Sequence, residues 1–303
     1  MKEKFPLTGI VVSLNTPFDR FGRIDFDSMA RLIEMHLREG ASGFLASAQA
    51  GEINELSLAE RIEITRFVQQ AAGDRAMVIA GATSNDHHES CAMAEAALKA
   101  GCGAVLVEIP QRFHSDRAST LRFCREVARV GVPTLVIQDL DWTGSGIDVS
   151  WIVEMFETLE SFKCLKIEVR PAGPKYTQVR EATQGRLSVA GGWAADQMIE
   201  ALDRGVDIYI PTTMTRHYIE IVRDHWAGNR EAAFARFKAI LPVLAFTRQH
   251  LDISIQFHKR QMVRCGVFKT ANTRKKCLPY DSFHERYGEE MMRYLDQLES
   301  SRE

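Results

Sequence analysis

L-K-A-G-C-G-A-V-L-V, residues 98–107, ends a helical pattern at Gly101 and passes directly into a short apolar run. Glycine favours the left-handed backbone conformation that closes many helices. A run of apolar residues without polar interruption is typical of a strand that is buried on both faces. The stretch therefore predicts a junction between a helix and a strand of a parallel sheet.

The same junction recurs along the chain. The other examples are R-E-G40 before G-F-L-A-S, A-A-G73 before A-M-V-I-A, R-V-G131 before P-T-L-V-I, Q-G185 before L-S-V-A and R-G205 before I-Y-I-P. The run G-I-V-V-S-L, 9–14, and the apolar stretch that ends at Pro171 bring the number of predicted strands to eight. Amphipathic helical patterns separate them, at 25–39, 57–72, 86–100, 116–130, 148–160 and 193–204. Eight such units in about 225 residues predict an α/β fold, a (β/α)8 TIM barrel.

A doubly wound open sheet is the alternative, but the first strand is not followed by the G-x-G-x-x-G turn of dinucleotide-binding folds. Strand signals fade after residue 228, and helical patterns continue at 229–249, 254–265 and 281–299. We therefore predict a barrel domain over 1–228 and a C-terminal helical extension over 229–303.

Composition and charge exclude several classes of function. The 303 residues carry 38 basic and 40 acidic side chains, a net charge of −2, so no basic field for nucleic acid or anionic lipid is expected. No apolar run has the length of a membrane span, and the start M-K-E-K-F-P does not resemble a signal peptide. The six cysteines form no C-x-x-C pair, so we expect reduced structural thiols in a cytoplasmic protein.

One predicted strand contains charged residues. In F-K-C-L-K-I-E-V-R-P, 162–171, Lys166 and Glu168 interrupt an otherwise apolar run. Side chains alternate along a strand, so these two point to the same face, about 6.6 Å apart along the chain. An ion pair is the ordinary interpretation of such a pair. In a barrel, however, they lie near the C-terminal end of strand six, where active sites occur, and burial favours the neutral amine that a Schiff-base nucleophile requires.

Four segments carry a family resemblance. They are L-N-T-P-F-D-R-F-G-R-I-D at 14–25, A-G-E-I-N-E-L-S-L-A-E-R at 50–61, V-I-A-G-A-T-S-N at 78–85 and L-K-I-E in strand six. Together they resemble the dihydrodipicolinate synthase and N-acetylneuraminate lyase family of class I, Schiff-base-forming barrels. The resemblance implies that Lys166 forms an imine with a small-molecule 2-keto acid, with no other cofactor, in a homotetramer.

The sequence also departs from dihydrodipicolinate synthases at the positions of their hydroxyl relay. Gln49-Ala50 replace a Thr-Thr pair, Gln111-Arg112 replace a Tyr-Tyr pair, Ile137-Gln138 replace Tyr-Asn, and Trp142 replaces an arginine. Glu168 is a further departure, because family members commonly have a small residue there. V-I-Q-D, K-I-E and G-G-W-A-A-D together resemble the 2-keto-3-deoxyarabonate dehydratase branch.

The resulting hypothesis is dehydration of a 2-keto-3-deoxy sugar acid, with Lys166 and Glu168 as the catalytic residues. The predicted substrate-binding residues are Gln49, Ala50, Gly51, Gln138, Gly191 and Ile210. Backbone N–H groups of the second loop are expected to hold the substrate carboxylate. Dihydrodipicolinate synthesis, aldol cleavage of a 2-keto-3-deoxy acid, and a catalytically silent binding barrel remain alternatives.

Other polar residues give weaker signals. His87 and His88 are adjacent, and because neighbouring side chains on a helix diverge, we predict no metal site. Either Gln138 or Asp139 should face the barrel lumen. Arg112 is expected to supply charge near the site, to reach a neighbouring subunit, or to be solvated. The run R-K-K, 274–276, is interpreted as a solvated segment.

Overall fold

The computed structural model describes residues 4–192 and 196–300, in which eight parallel strands close into a barrel. The strands are β1 (Gly9–Ser13), β2 (Gly43–Ala46), β3 (Met77–Gly81), β4 (Ala104–Glu108), β5 (Leu135–Asp141), β6 (Phe162–Val169), β7 (Ser188–Gly191) and β8 (Ile208–Tyr209). Closure follows from pairing of β1 with β8, where Gly9 lies opposite Ile208. The predicted (β/α)8 TIM barrel is confirmed, and the open sheet is excluded.

A helix follows each strand on the outside of the barrel. These helices are α1 (Phe26–Glu39), α2 (Leu58–Ala72), α3 (His87–Ala100), α4 (Arg117–Ala128), α5 (Val149–Thr158), α6 (Ala172–Ala182), α7 (Met198–Asp203) and α8 (Thr215–Trp226). Aspartates such as Asp25 and Asp116 accept hydrogen bonds from the first turns of their helices. Gly40 and Gly101 close α1 and α3 at φ +96° and +81°, which is the left-handed conformation that the sequence pattern predicts.

Side-chain alternation divides each strand between the lumen and the helix layer. On β6, Cys164 packs with the apolar core of the lumen, whereas Leu165 and Ile167 pack with the core between barrel and helices. The lower lumen is filled by buried apolar side chains, namely Val11, Leu45, Ile79, Leu106, Val136, Cys164 and Ile208. The polar lumenal residues Gln138, Lys166 and Glu168 lie toward the C-terminal ends of their strands, where a barrel carries its active site.

Three further helices follow the barrel: α9 (Arg230–Thr247), α10 (Leu251–Arg264) and α11 (Ser282–Ser300). α9 and α10 contribute residues to the wall of the pocket at the C-terminal mouth of the barrel, so barrel and extension share one site. Residues 193–195 of the G-G-W-A-A-D segment lie outside the described residues. Among the helices that the structure describes, none combines the length and the apolar character of a membrane span.

A fully buried ion pair connects α10 to the loop after β2. The Lys259 ammonium donates to Glu52 and, at 2.8 Å, to the carbonyl of Asn272. The second Glu52 oxygen accepts the backbone N–H groups of Arg274 and Lys275, each at 2.8 Å. Because every member of this cluster has partners, the pair fixes α10 and the segment after it over the barrel mouth.

The R-K-K segment is not simply solvated. The Arg274 guanidinium lies 4.6 Å from the centre of the Phe18 ring and donates to Glu60 at 2.7 Å. That hydrogen bond, with the Ser57 cap, lowers the pKa of Glu60 to about 2. Lys275 pairs with Asp252 at 2.5 Å. The interpretation from sequence is therefore wrong, because a local charge run does not reveal which distant carboxylates it meets.

We expect Lys259→Met or Glu52→Gln to lower the free energy of unfolding by about 3–5 kcal/mol, because each leaves a buried charged group without its partner. The double variant should lose less than the sum of the two single variants. Urea unfolding measures the free energy of unfolding of the two single variants and of the double variant. The exposed pair Arg75 and Glu34 is the control, since Glu34→Gln should cost at most about 1 kcal/mol. Strictly additive losses at Lys259 and Glu52 would show that the two do not act as a pair.

Candidate active site

The pocket at the C-terminal mouth of the barrel is lined by strand ends, the loop after β2 and the appended helices. Its walls include Ser13, Gln49, Ala50, Gln138, Lys166, Glu168, Gly192, Ile210, Thr213, Tyr218, Arg248 and His258. Of the predicted site residues, Lys166, Glu168, Gln49, Ala50, Gln138 and Ile210 thus lie around one space. The structure places Gly192, rather than the predicted Gly191, in the pocket wall, because alternation turns residues 190 and 192 toward the lumen.

Lys166 points from β6 into the lumen and is 6% exposed. Its backbone lies opposite Gln138 on β5 and Ala190 on β7. The Lys166 Nζ atom is 3.3 Å from the Glu168 Oε2 atom. Alternation along β6 therefore brings the amine and the carboxylate together on the lumenal face, as the sequence predicts.

Among the described residues, two other lysines are also buried, and both have structural partners. Lys175 donates to Asp139 and, at 2.6 Å each, to the carbonyls of Ser145 and Ile147. Lys259 is held by Glu52 in the cluster described above. An ammonium group has three donors, and those of Lys175 are occupied. Of the three, Lys166 lines the pocket at the C-terminal mouth of the barrel.

Glu168 is fixed by three neighbours. The Gln138 side-chain N–H donates to Glu168 Oε2 at 2.5 Å, and the Lys166 Nζ atom lies 3.3 Å from the same oxygen. Gly192 leaves the space that the carboxylate occupies, because a Cβ atom at position 192 would lie 1.7 Å from Glu168 Oε1. A residue with a side chain at 192 would displace the carboxylate, so glycine is required here for close approach.

The loop after β2 begins with a 3₁₀ turn, Gln49–Gly51, that presents Gln49 and Ala50 to the pocket. Gly51 lies behind this wall, where its added Cβ would be 2.9 Å from the Leu14 carbonyl. The N–H groups of Gly51 and Glu52 donate within the turn, to Ala48 and Gln49 at 2.9 and 3.1 Å. The turn itself therefore uses the N–H groups of Gly51 and Glu52. The expectation that backbone N–H groups of this loop hold the substrate carboxylate stays a prediction.

Of the two polar residues at the end of β5, Gln138 faces the lumen and Asp139 faces the helix layer. Asp139 accepts from the Ile147 N–H at 3.2 Å and pairs with Lys175. Burial raises the pKa of Asp139. This pair anchors the loop between β5 and α5, so its role is structural.

Glu108 is a lumenal carboxylate that the sequence analysis missed. It ends β4, with its backbone opposite Gln138, and its Oε2 atom accepts from Gln49 Nε2 at 3.3 Å. Burial raises the pKa of Glu108, and the Glu168 carboxylate adds to that rise. Glu108 follows Ala104 and Leu106 on one face of β4, as Glu168 follows Cys164 and Lys166 on one face of β6. This alternation was a signal for Glu108 in the sequence.

The appended helices supply a second group of pocket residues that sequence patterns did not indicate. Arg248 donates to the carbonyl of Gly192 at 3.0 Å. The Thr213 hydroxyl donates to Gln261 Oε1 at 2.9 Å and lies 2.8 Å from His258 Nδ1. Tyr218 of α8 also lines the pocket. Hydroxyl groups are thus present in the pocket, although on elements other than the strands that carry the family's relay.

His258 links this region to a pH-dependent stability. Burial lowers the pKa of His258 from 6.5 to about 4. The Gln261 hydrogen bond opposes this shift, and the Arg248 charge adds to it. Between these values the unfolded chain binds a proton that the folded protein does not. The contribution of neutral His258 to the free energy of unfolding should therefore be complete above pH 6.5. We expect it to fall by about 3 kcal/mol as the pH drops to 4. Urea unfolding of the parent and His258→Gln between pH 7.5 and 4.5 measures it, and parallel pH profiles for both proteins would contradict it.

His87 and His88 do not diverge as expected. Their ring centres are 3.9 Å apart, and ligand atoms of Asp86, His87 and His88 lie within 4.8 Å of one another. All three residues are exposed, and an Asp86 oxygen caps α3 by accepting from the His88 N–H at 2.9 Å.

Arg112 lies outside the pocket, where it donates to the Asn85 carbonyl at 2.6 Å.

Comparison with known proteins shows the family. The sequence model of the dihydrodipicolinate synthetase family matches residues 6–298. The 4-hydroxy-tetrahydrodipicolinate synthase of Chlorobium chlorochromatii is 30% identical over 183 residues, which are 60% of this chain and 60% of that protein. The enzyme of the same name from Pseudomonas aeruginosa is 34% identical over 131 residues, 43% of this chain and 45% of that protein. The chain thus spans less than two thirds of these curated relatives.

Solved structures share the fold. Dihydrodipicolinate synthase from Rhodopseudomonas palustris is 21% identical, with a TM-score of 0.89 over 96% of this chain and 99% of that chain. The 4-hydroxy-tetrahydrodipicolinate synthase from Methylacidiphilum fumariolicum SolV is 19% identical, with a TM-score of 0.87 over 96% of both chains. At these identities the likeness shows the barrel and its helical extension.

Proposed function

Since the chain belongs to the dihydrodipicolinate synthetase family and is a lyase of the class I aldolase superfamily, we propose that it dehydrates a 2-keto-3-deoxy sugar acid through an imine on Lys166. The observation that carries this proposal is the placement of Glu168 beside Lys166, with its carboxylate positioned by Gln138. A proton-transfer group next to the imine nitrogen suits a reaction that moves protons at the neighbouring carbons. Membership of a lyase family argues against the alternative that the barrel only binds a ligand and has no catalytic activity.

The proposed sequence begins when the neutral Lys166 amine attacks the C2 ketone and water leaves, which gives an iminium. The iminium withdraws electrons, so the Glu168 carboxylate can take a C3 proton and form an enamine. Return of the nitrogen electron pair expels the C4 hydroxyl, which accepts a proton and departs as water. Hydrolysis then frees Lys166 and a 3,4-unsaturated 2-keto acid or its tautomer. The balance is the loss of one water, and the iminium serves as electron sink without a separate cofactor.

The remaining pocket residues are proposed to bind the substrate. Gln49, Ala50 and Ile210 line the space in front of Lys166 and, with Gln138, are placed to contact the bound 2-keto acid. Gly51 and Gly191 would act from behind the wall, through the shape of the loop and strand that they form.

Condensation of pyruvate is the second candidate, and the names of the relatives favour it, since both reported relatives are called 4-hydroxy-tetrahydrodipicolinate synthase. Against it stands the lack of a hydroxyl group at the end of β5, where Gln138 faces the lumen opposite Lys166 and Ile137 faces the helix layer. Aldol cleavage shares this difficulty, because it needs a base at the substrate hydroxyl.

One panel of assays separates these reactions. The protein is incubated with 2-keto-3-deoxy pentonates and hexonates of each C4 configuration, and with pyruvate plus an aldehyde acceptor, and carbon NMR follows the products. Dehydration gives one unsaturated product without fragments, cleavage releases pyruvate, and condensation consumes it. Pyruvate release or consumption without any dehydration would overturn the proposal in favour of the second candidate.

We also propose a homotetramer in solution. Exposed apolar side chains on the appended helices support association, since Phe234 and Phe283 are 50% and 67% exposed in the single chain. Light scattering at micromolar concentration should give a mass near four times 34.2 kDa. A monomeric mass would contradict the proposal.

A further inference from the structure

We propose that Glu108 is a second catalytic residue, the acid that protonates the departing C4 hydroxyl, while Glu168 acts as the base at C3. This inference rests on the proposed dehydration and divides its two proton transfers between two carboxylates. The division concerns residues from three neighbouring strands, β4, β5 and β6, and the ends of β5 and β6 line the pocket.

The first support is the register of the strands. Glu108 lies opposite Gln138, and Gln138 lies opposite Lys166, so the three stand in one row across the barrel. Neighbouring strands are about 4.8 Å apart, which puts the Glu108 and Lys166 backbones within roughly 10 Å of each other. Alternation along the strands turns both side chains toward the lumen.

The second support is the different environment of each carboxylate. Glu168 has two close neighbours on its Oε2 atom, the Lys166 Nζ atom at 3.3 Å and the Gln138 amide at 2.5 Å. Glu108 has one side-chain hydrogen bond, from Gln49 at 3.3 Å, and no cation among its described hydrogen-bond or ion-pair partners. Burial raises the pKa of Glu108 and the nearby Glu168 charge adds to that rise, whereas the Gln49 hydrogen bond and the Lys166 charge oppose it. Two carboxyl groups in contrasting surroundings are the usual arrangement of an acid and a base.

The third support is the contact between Glu108 and the pocket wall. Glu108 is half-buried, and the residue that binds it, Gln49, belongs to the pocket wall. The Thr83 hydroxyl accepts from the Glu108 N–H at 3.0 Å, which fixes the end of β4. A 2-keto acid bound to Lys166 would extend its C3 and C4 atoms over Gln138, with Glu168 on one side and Glu108 on the other.

In the proposed elimination of water, the Glu168 carboxylate takes the C3 proton and becomes neutral. The enamine nitrogen then returns its electron pair, and the C4–O bond breaks with its electrons on oxygen. The Glu108 carboxylic acid gives its proton to that oxygen, so water leaves and Glu108 becomes a carboxylate. Release of the Glu168 proton and uptake of one proton by Glu108 restore the starting state.

The test compares Glu108→Gln with the parent on a 2-keto-3-deoxy sugar acid and on its 4-fluoro analogue. Fluoride leaves without a proton, so the variant should lose about 10²–10⁴-fold in turnover with the hydroxyl substrate and less than about tenfold with the fluoro analogue. Borohydride trapping and exchange of C3 protons in D₂O should persist, because they need only Lys166 and Glu168. The exposed Glu63→Gln on α2 is the matched control and should change none of these quantities.

The outcomes separate the role of Glu108 from the proposed dehydration itself. Equal losses on both substrates, or no loss on either, would overturn the role of Glu108 while leaving the proposed function in place. A parent protein that dehydrates neither substrate overturns the proposed function itself. If Glu108→Gln forms no imine, Glu108→Ala with added acetic acid replaces it. Restored dehydration then supports the acid role, and failure of both variants to form the imine shows a structural role and rejects the proposal.

Discussion

Replacement of Lys166 by alanine is expected to abolish borohydride trapping of 2-keto acids and to lower turnover by on the order of 10⁴-fold or more, since the covalent nucleophile is lost. The fold should persist, because Glu168 keeps its hydrogen bond from Gln138 and is only partly buried. Mass spectrometry of the trapped adduct and circular dichroism of the variant measure the two effects separately.

The other lysines make this prediction specific. Lys163→Ala removes a lysine at the opposite end of the same strand and should leave trapping unchanged. Lys175 and Lys259 are buried but held by carboxylates and carbonyls, so no adduct is expected on either. An adduct mapped to any lysine other than Lys166 would reject the assignment of the nucleophile.

Replacement of Glu168 by glutamine is expected to preserve trapping while turnover falls by about 10²–10⁴-fold. Glutamine keeps the size and polarity of the side chain but cannot accept the C3 proton. Exchange of C3 protons in D₂O should therefore fall together with dehydration, which distinguishes this variant from Glu108→Gln. Single-turnover measurements with a trapped fraction recorded in parallel give both quantities.

Two results would change the interpretation of Glu168. Near-normal turnover on a substrate that the parent dehydrates would leave Glu168 as an ion-pair partner of Lys166. Loss of trapping itself would show that its main task is to hold the lysine. Gln138→Ala is a useful companion variant, because it removes the amide that positions the carboxylate and keeps both reacting groups.

The relation between Glu108 and Glu168 also explains how the site can work without the family's strand-five tyrosine. A relay of hydroxyls passes one proton along a chain, whereas two carboxylates in different surroundings can take and give protons independently. Gly192 contributes to this arrangement by leaving room for Glu168, and the Arg248 hydrogen bond fixes the Gly192 carbonyl from the side of the extension.

Local periodicity in the sequence determined the order of strands and helices, the barrel and the shared face of Lys166 and Glu168, because a period of two or 3.6 residues depends only on neighbours along the chain. It did not determine that Gln138 and Glu108 stand in the same row as Lys166, because strand register depends on pairing between distant segments. It also did not place Arg248 and His258 at the pocket, or Lys259 beside Glu52. Those contacts arise when α9 and α10 fold back over the barrel mouth, and packing across more than 200 residues of chain decides that path.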